Sequence, residues 1–147
     1  MLTTLRKTAR PMIRFRTGDI GTVNKEKCSC GRTHARINIT GRLDDMLIVL
    51  GVNVFPSDIE FVIRNMKELS GEYRITAFTE NFTNKFKVEV ERALGNDDDA
   101  EALAQKVSSA IKTRIGVKPK EVIVLNNGEL PRATHKAKRL IDERQKV

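Results

Sequence analysis

Thr40-Gly41-Arg42-Leu43-Asp44-Asp45-Met46-Leu47-Ile48-Val49-Leu50-Gly51-Val52-Asn53-Val54-Phe55-Pro56 is the stretch on which the fold turns. Gly41 to Asp45 is a polar turn, and Met46 to Leu50 is an apolar strand. Gly51 breaks that strand, and Val52 to Phe55 returns as a second short one, so the two form a tight hairpin. Pro56 and Ser57 then open a helix, because proline suits a first helical turn and serine can accept the orphan backbone N–H bonds there. Ile59, Val62, Ile63 and Met66 recur at helical spacing and give this helix one buried stripe.

Towards the C-terminus, Arg74 to Thr79 and Phe86 to Glu91 read as paired strands with Asn81 to Lys85 as their turn. Asn96 is the expected cap of a second helix. Asp97 to Asp99 and Glu101 lie at its positive end, Lys112 and Arg114 at the other, and Gly116 stops it. Its buried stripe is Leu103, Val107, Ala110 and Ile111. Glu121 to Leu125 is a further strand, Asn127-Gly128 a turn, and Ala137 to Gln145 a short basic terminal helix. This order predicts an α+β fold, a small antiparallel or mixed sheet with helices packed on one face.

Towards the N-terminus, Pro11 to Phe15 and Thr17-Gly18-Asp19-Ile20-Gly21-Thr22-Val23 read as strand, glycine-marked turn and strand. A loop from Cys28 to His34 follows, then extended chain from Ala35 to Ile39. This opening β-hairpin looks like the end of a larger domain. Residues 1–40 are therefore read as the terminal piece of a large N-terminal domain with its Cys loop, and 41–147 as a C-terminal lid domain.

The 147 residues are 39% hydrophobic and 31% charged, the balance of a globular chain with a core and not of a disordered tail. No apolar run approaches the roughly 20 residues that span a bilayer, and Met1 to Lys7 has no apolar signal core, so a cytoplasmic location is expected. The formal charge of +8 raises nucleic acid as a partner. The basic residues gather at the two ends, however, where a small anionic nucleotide or an acidic partner domain accounts for them equally well. Sparse exposed aromatics, with a single tyrosine and six phenylalanines, argue against a base-stacking surface.

Three ordered motifs carry a resemblance: Arg14-Phe15-Arg16-Thr17-Gly18-Asp19, the string from Thr40 to Pro56, and Leu130-Pro131-Arg132-Ala133-Thr134-His135-Lys136-Ala137-Lys138-Arg139. Together they resemble the adenylate-forming ligase superfamily, and Gly51-Val52-Asn53-Val54-Phe55-Pro56 is similar to its phenylacetate-CoA ligase branch. The likeness covers nearly the whole chain. Such ligases join a carboxylate to the α-phosphate of ATP, releasing pyrophosphate. Their small domain then swings so that the thiol of coenzyme A attacks the acyl-adenylate.

The resemblance implies a role for each motif. Asp19 would accept hydrogen bonds from the ribose hydroxyls, and Arg42 would present its planar fork to ribose or phosphate oxygens nearby. Asp44 would be the hinge, where backbone torsions change as the lid rotates. Gly51, Val52 and Asn53 would line the path of the pantetheine arm of coenzyme A. Lys136 would be the catalytic residue of adenylation, its ammonium offsetting charge as carboxylate and α-phosphate meet. Taken singly, each has a plainer reading: Asp19, Arg42 and Asp44 as turn residues, Gly51 as a hairpin glycine, Lys136 as one surface lysine among many. The chain departs from the family in having His135 where glycine usually precedes the lysine, and Phe15 where tyrosine is more usual.

Cys28-Ser29-Cys30-Gly31-Arg32-Thr33-His34 places two thiols and an imidazole close together. One intervening residue is too tight for an easy disulfide, so the thiols are expected reduced or on a metal. Cys28, Cys30 and His34 supply at most three of the four ligands of a structural zinc, the commoner spacing being two to four residues. Some relatives in this branch carry a similar element, which implies that further ligands come from the larger domain. The cofactors implied are ATP/AMP with magnesium, coenzyme A and a possible zinc. The partners implied are the large adenylating domain, in cis or in trans, and a small aryl carboxylic acid, with no membrane. The chain alone, lacking a phosphate loop and an acyl pocket, is expected to be inactive. The alternatives are a non-catalytic lid that binds nucleotide or a partner, and a basic nucleic-acid-binding domain.

Overall fold

Residues 1–132 and 139–144 are described by a computed structural model. Chain contacts divide it into two units, Met1–Asp45 and Met46–Val147.

In the first unit, β1 (Asp19–Asn24) pairs antiparallel with β2 (Arg36–Arg42), and the end pair is Asp19 with Arg42. The register shifts between Ile20 and Gly21. Gly21 is required there, since a Cβ on it would stand 2.6 Å from the carbonyl oxygen of Asn38. The expected hairpin between Pro11–Phe15 and the strand after Gly18 is not what forms. Phe15 instead bridges Leu2, and β1 takes its partner from beyond the Cys loop. Gly18 turns the chain at φ +75°, and its carbonyl accepts from the Leu43 N–H at 2.7 Å. None of residues 1–45 is buried, and Val23, Ile37 and Ile39 are more than half exposed on the hairpin.

The second unit is built on a four-stranded sheet. Its strands are β5 (Leu69–Glu80), β6 (Thr83–Arg92), β7 (Glu121–Leu125) and β8 (Leu140–Asp142), in the order β7-β6-β5-β8. The central pair is antiparallel, and both outer strands run parallel to their neighbours, so the sheet is mixed. The hairpin of β3 (Leu47–Val49) and β4 (Val52–Val54) forms where expected and leads into α1 (Pro56–Arg64). Helix α1 has Pro56 in its first turn, but its cap residue is Phe55, whose side chain makes no capping bond.

Helix α2 (Ala100–Ile115) is capped by Asp99, which accepts from the Ala102 N–H at 2.8 Å. Asn96, the expected cap, instead accepts from the Asp98 N–H in a local turn. Gly116 ends the helix at φ +84°, and its N–H bonds the Lys112 carbonyl.

Ile59, Val62 and Ile63 of α1 and Leu103, Val107 and Ile111 of α2 share one core with Ile75, Phe86, Val88 and Val90 of the sheet. Leu47, Val49 and Val54 of the small hairpin complete it. The expected α+β class with helices over a small sheet is what forms. The terminal helix is not. Leu140–Asp142 of that segment is an extended strand against Ile75–Ala77, and the flanking residues 137–138 and 145 lie outside the described residues. An open sheet edge at β5 offers backbone partners that outweigh the weak preference of Lys, Arg, Ala and Leu for helix.

Candidate functional site

The Thr17-Gly18-Asp19 turn is shaped by two local bonds. The Asp19 N–H donates to the Thr17 hydroxyl at 3.3 Å, and the Gly18 carbonyl accepts from the Leu43 N–H at 2.7 Å. The second bond lays the turn against Arg42-Leu43-Asp44. A Cβ on Gly18 would stand 3.3 Å from an Asp44 carboxylate oxygen and 3.6 Å from Arg42 Nη2, and the φ of +75° there is one that residues with side chains rarely adopt.

The three candidate polar residues of this unit thus meet. Arg42 Nε lies 3.8 Å from Asp19 Oδ1, and Arg42 Nη2 lies 3.5 Å from Asp44 Oδ2. Charge-assisted N–H to carboxylate bonds close to about 2.7–2.9 Å, so this guanidinium is held loosely between two carboxylates. Its side chain is half exposed. The arrangement presents carboxylate acceptors suited to vicinal hydroxyls and donors suited to phosphate or ribose oxygens.

Gly51, Val52 and Asn53 lie in the second unit, at the β3–β4 turn. Leu50 and Gly51 both have positive φ, 50° and 78°, as a tight hairpin turn with right-handed strand twist requires. Nothing stands within 4 Å of a Cβ placed on Gly51, and Asn53 is exposed, so this turn leaves its backbone open to a ligand.

Lys136 lies outside the described residues, as do His135 and the rest of 133–138. The residues on either side of that segment are described, and both are anchored. Arg132 donates to Glu91 at 2.6 Å, and its other terminal nitrogen is 4.0 Å from Glu72. Arg139 donates to both oxygens of Glu72 at 3.2 Å and to the Gly71 carbonyl at 3.2 Å, and it stacks 4.6 Å over the Tyr73 ring.

Glu91 is fully buried and also accepts from the Leu130 N–H at 3.3 Å. Burial pushes its carboxyl upward. Arg132, the Gly128 and Leu130 amides and the Ser70 hydroxyl outweigh that and hold it below the ordinary carboxylate range. Burial likewise pushes the Tyr73 phenol up to about 12, with nearby Glu60 adding to the rise. Sequence reasoning missed Glu72 and Glu91. The one local hint was a carboxylate at the end of the alternating Phe86, Val88, Val90 run, where period two turns Glu91 away from the helices.

In the Cys loop the two sulfurs are 3.0 Å apart and unbridged, and the Cys30 amide and thiol draw the Cys28 thiol below its usual range. Among the described residues no three His, Cys, Asp or Glu side chains gather as a metal would need, so His34 does not complete a set with the thiols. The residues present do not fit a four-ligand zinc on their own.

Residues 51–144 match the model of the AMP-binding enzyme C-terminal domain, a range that takes in β4 of the small hairpin, both helices and the whole four-stranded sheet. The chain belongs to that family. This AMP-binding C-terminal domain is 36% identical to the phenylacetate-coenzyme A ligase of Thermus thermophilus over 99% of its own length and 36% of the relative's. It is 35% identical to that of Escherichia coli over its full length and 34% of the relative's. The chain therefore spans about a third of the length of the curated relatives it matches.

Among solved structures, 2-hydroxyisobutyryl-CoA ligase in the postadenylation state with R3-HIB-AMP matches with a TM-score of 0.86 and 31% identity. That match covers 96% of this chain and 31% of the ligase. The same ligase with 2-HIB-AMP and CoA in the thioesterification state matches at 0.63 and 32%, over 97% of this chain and 31% of the ligase. Among the described residues, no helix of this AMP-binding C-terminal domain is long and apolar enough to cross a membrane.

Proposed function

We propose that this chain acts as the mobile C-terminal part of an ATP-dependent carboxylate–coenzyme A ligase of the phenylacetate-CoA ligase type. The observation that carries this reading is the meeting of Asp19, Arg42 and Asp44 around the Gly18 turn. One guanidinium shared loosely by two carboxylates is a nucleotide grip that can exchange its internal pairs for ligand oxygens at small cost. Asp19 takes the ribose hydroxyls, and Arg42 steadies the sugar or phosphate beside it. Asp44 is the penultimate residue of the first unit, where a change of backbone torsion swings everything that follows.

Lys136 approaches the carboxylate and α-phosphate during adenylation and offsets the charge of two converging anions. After the swing, the open turn at Gly51, Val52 and Asn53 lines the channel of the pantetheine arm. ATP enters with magnesium, and the acid is a small aryl or arylacetic carboxylate whose pocket belongs to the large domain. The coreless first unit supports the need for that domain, since exposed Val23, Ile37 and Ile39 are covered when it docks. Cysteines kept as thiols and substrates such as ATP and coenzyme A suit the cytoplasm.

The test is reconstitution. Alone, the chain should form no acyl-CoA from phenylacetate, ATP and coenzyme A. Joined to a large adenylating domain of the same branch it should restore synthesis, and Lys136→Ala should lower adenylation by about 10²-fold or more. Enzyme-like turnover by the chain alone, or full adenylation by the Lys136→Ala assembly, overturns the reading.

A further inference from the structure

Between Leu69 and Tyr73 the β5–β6 register slips, so that Ser70, Gly71 and Glu72 oppose the single residue Glu91. Gly71 sits there at φ +88°. Bulges of this kind re-aim side chains next to functional segments. This one brings the Gly71 carbonyl and the Glu72 carboxylate to the arginine that closes the 133–138 segment, while Glu91 holds the arginine that opens it. Glu72 also stands 4.0 Å from Arg132, so one carboxylate faces both flanking guanidiniums.

Backbone bonds support the side-chain anchors. The Leu130 N–H donates to Glu91, and beyond the segment the Ile75 N–H donates to the Arg139 carbonyl at 2.7 Å as β8 joins the sheet. A fully buried carboxylate is costly unless paired, and its partners here all come from the chain just before the segment or from Ser70 in the bulge. Tyr73 and Val90, next to Glu72 and Glu91 in sequence, belong to the shared core of helices and sheet.

We propose that Glu72 and Glu91 are positioning residues for adenylation, fixing both ends of the segment that carries Lys136 through Arg139 and Arg132. They do not touch substrate. Their effect is on how often the lysine is presented in reacting geometry, a quantity to which rates respond steeply. This rests on the reading of Lys136 given above, and the experiment separates the two.

In the assembly with the large domain, Glu72→Ala, Glu91→Gln and Lys136→Ala are compared in two reactions. One is acid-dependent exchange of pyrophosphate into ATP, and the other is thioester formation from preformed acyl-adenylate and coenzyme A. Glu72→Ala should lower the kcat of exchange by about tenfold and leave KM for ATP and acid within about twofold. Thioester formation should stay within about twofold of wild type, because that step does not use Lys136.

Glu72 is partly exposed, so its variant keeps the test open if Glu91→Gln fails to fold. Arg139→Lys, which keeps the charge and loses the fork, should fall between wild type and Glu72→Ala. A folded Glu72→Ala assembly with unchanged exchange, or with both reactions lowered equally, overturns the proposal while a dead Lys136→Ala exchange leaves the lysine reading intact. Undiminished exchange in Lys136→Ala overturns the reading and the proposal together.

Discussion

Glu91 decides more at its own position than any other carboxylate of the second unit, because it is fully buried and still ionised by its partners. A carboxyl whose folded pKa lies below its unfolded value stabilises the fold above the unfolded value and loses that contribution as pH falls through the folded one. Glu91→Gln should therefore cost roughly 1–3 kcal/mol at neutral pH, since Arg132 and the Leu130 amide keep poorer partners. The gap to wild type should close as pH drops below the ordinary carboxylate range. Urea midpoints of both proteins measured from neutral pH down into acid check this, and a gap independent of pH counts against the assignment. Glu89, drawn below its ordinary range by the Arg74 fork at 2.5 and 2.6 Å, is unchanged in both proteins and leaves the difference clean.

Among the elements, α2 tests which residue starts a helix. Asp99 accepts from the Ala102 N–H, while Asn96 is spent on a turn of its own. Asp99→Ala should lower stability by about 1 kcal/mol, and Asn96→Ala by about half that or less. Thermal melts of the two variants against wild type decide it, and a larger loss from Asn96→Ala than from Asp99→Ala would restore the reading in which Asn96 is the cap. The sequence made the helix plain through its stripe of Leu103, Val107 and Ile111, but four polar residues in a row left the cap ambiguous. The small hairpin, α1, β5, β6 and β7 were legible for the same reason, since each buries its own periodic face. Strand β8 was not, because its conformation comes from a partner more than sixty residues away and its own composition favours helix. At the candidate site, the Gly18 turn and the Arg42 segment were legible as motifs. The anchors of Glu72 and Glu91 were hidden, since nothing local announces an ion pair across forty or more residues.

At the scale of the whole molecule, the two units differ in what holds them. Met46–Val147 has a core of its own, whereas Met1–Asp45 buries no residue and keeps its shape through backbone pairing of β1 with β2. A two-stranded hairpin with no face covered is marginal in water. Deleting residues 1–45 should therefore leave the urea midpoint and the slope m of the main transition unchanged, because m follows the surface exposed on unfolding and the hairpin contributes little burial. Amide exchange in the whole chain should run fast at Thr22 and Asn38 and slow at Ile75 and Val88, which pair inside the main sheet. Addition of the large domain should slow exchange at β1 and β2 selectively, because covering Val23, Ile37 and Ile39 supplies the apolar burial that the hairpin lacks alone. A lower m after the deletion, or protection of β1 and β2 in the chain by itself, would mean that the hairpin already has a packed partner within this chain. The stability of the grip around Asp19 and Arg42 would then be intrinsic to the chain and not conferred by docking.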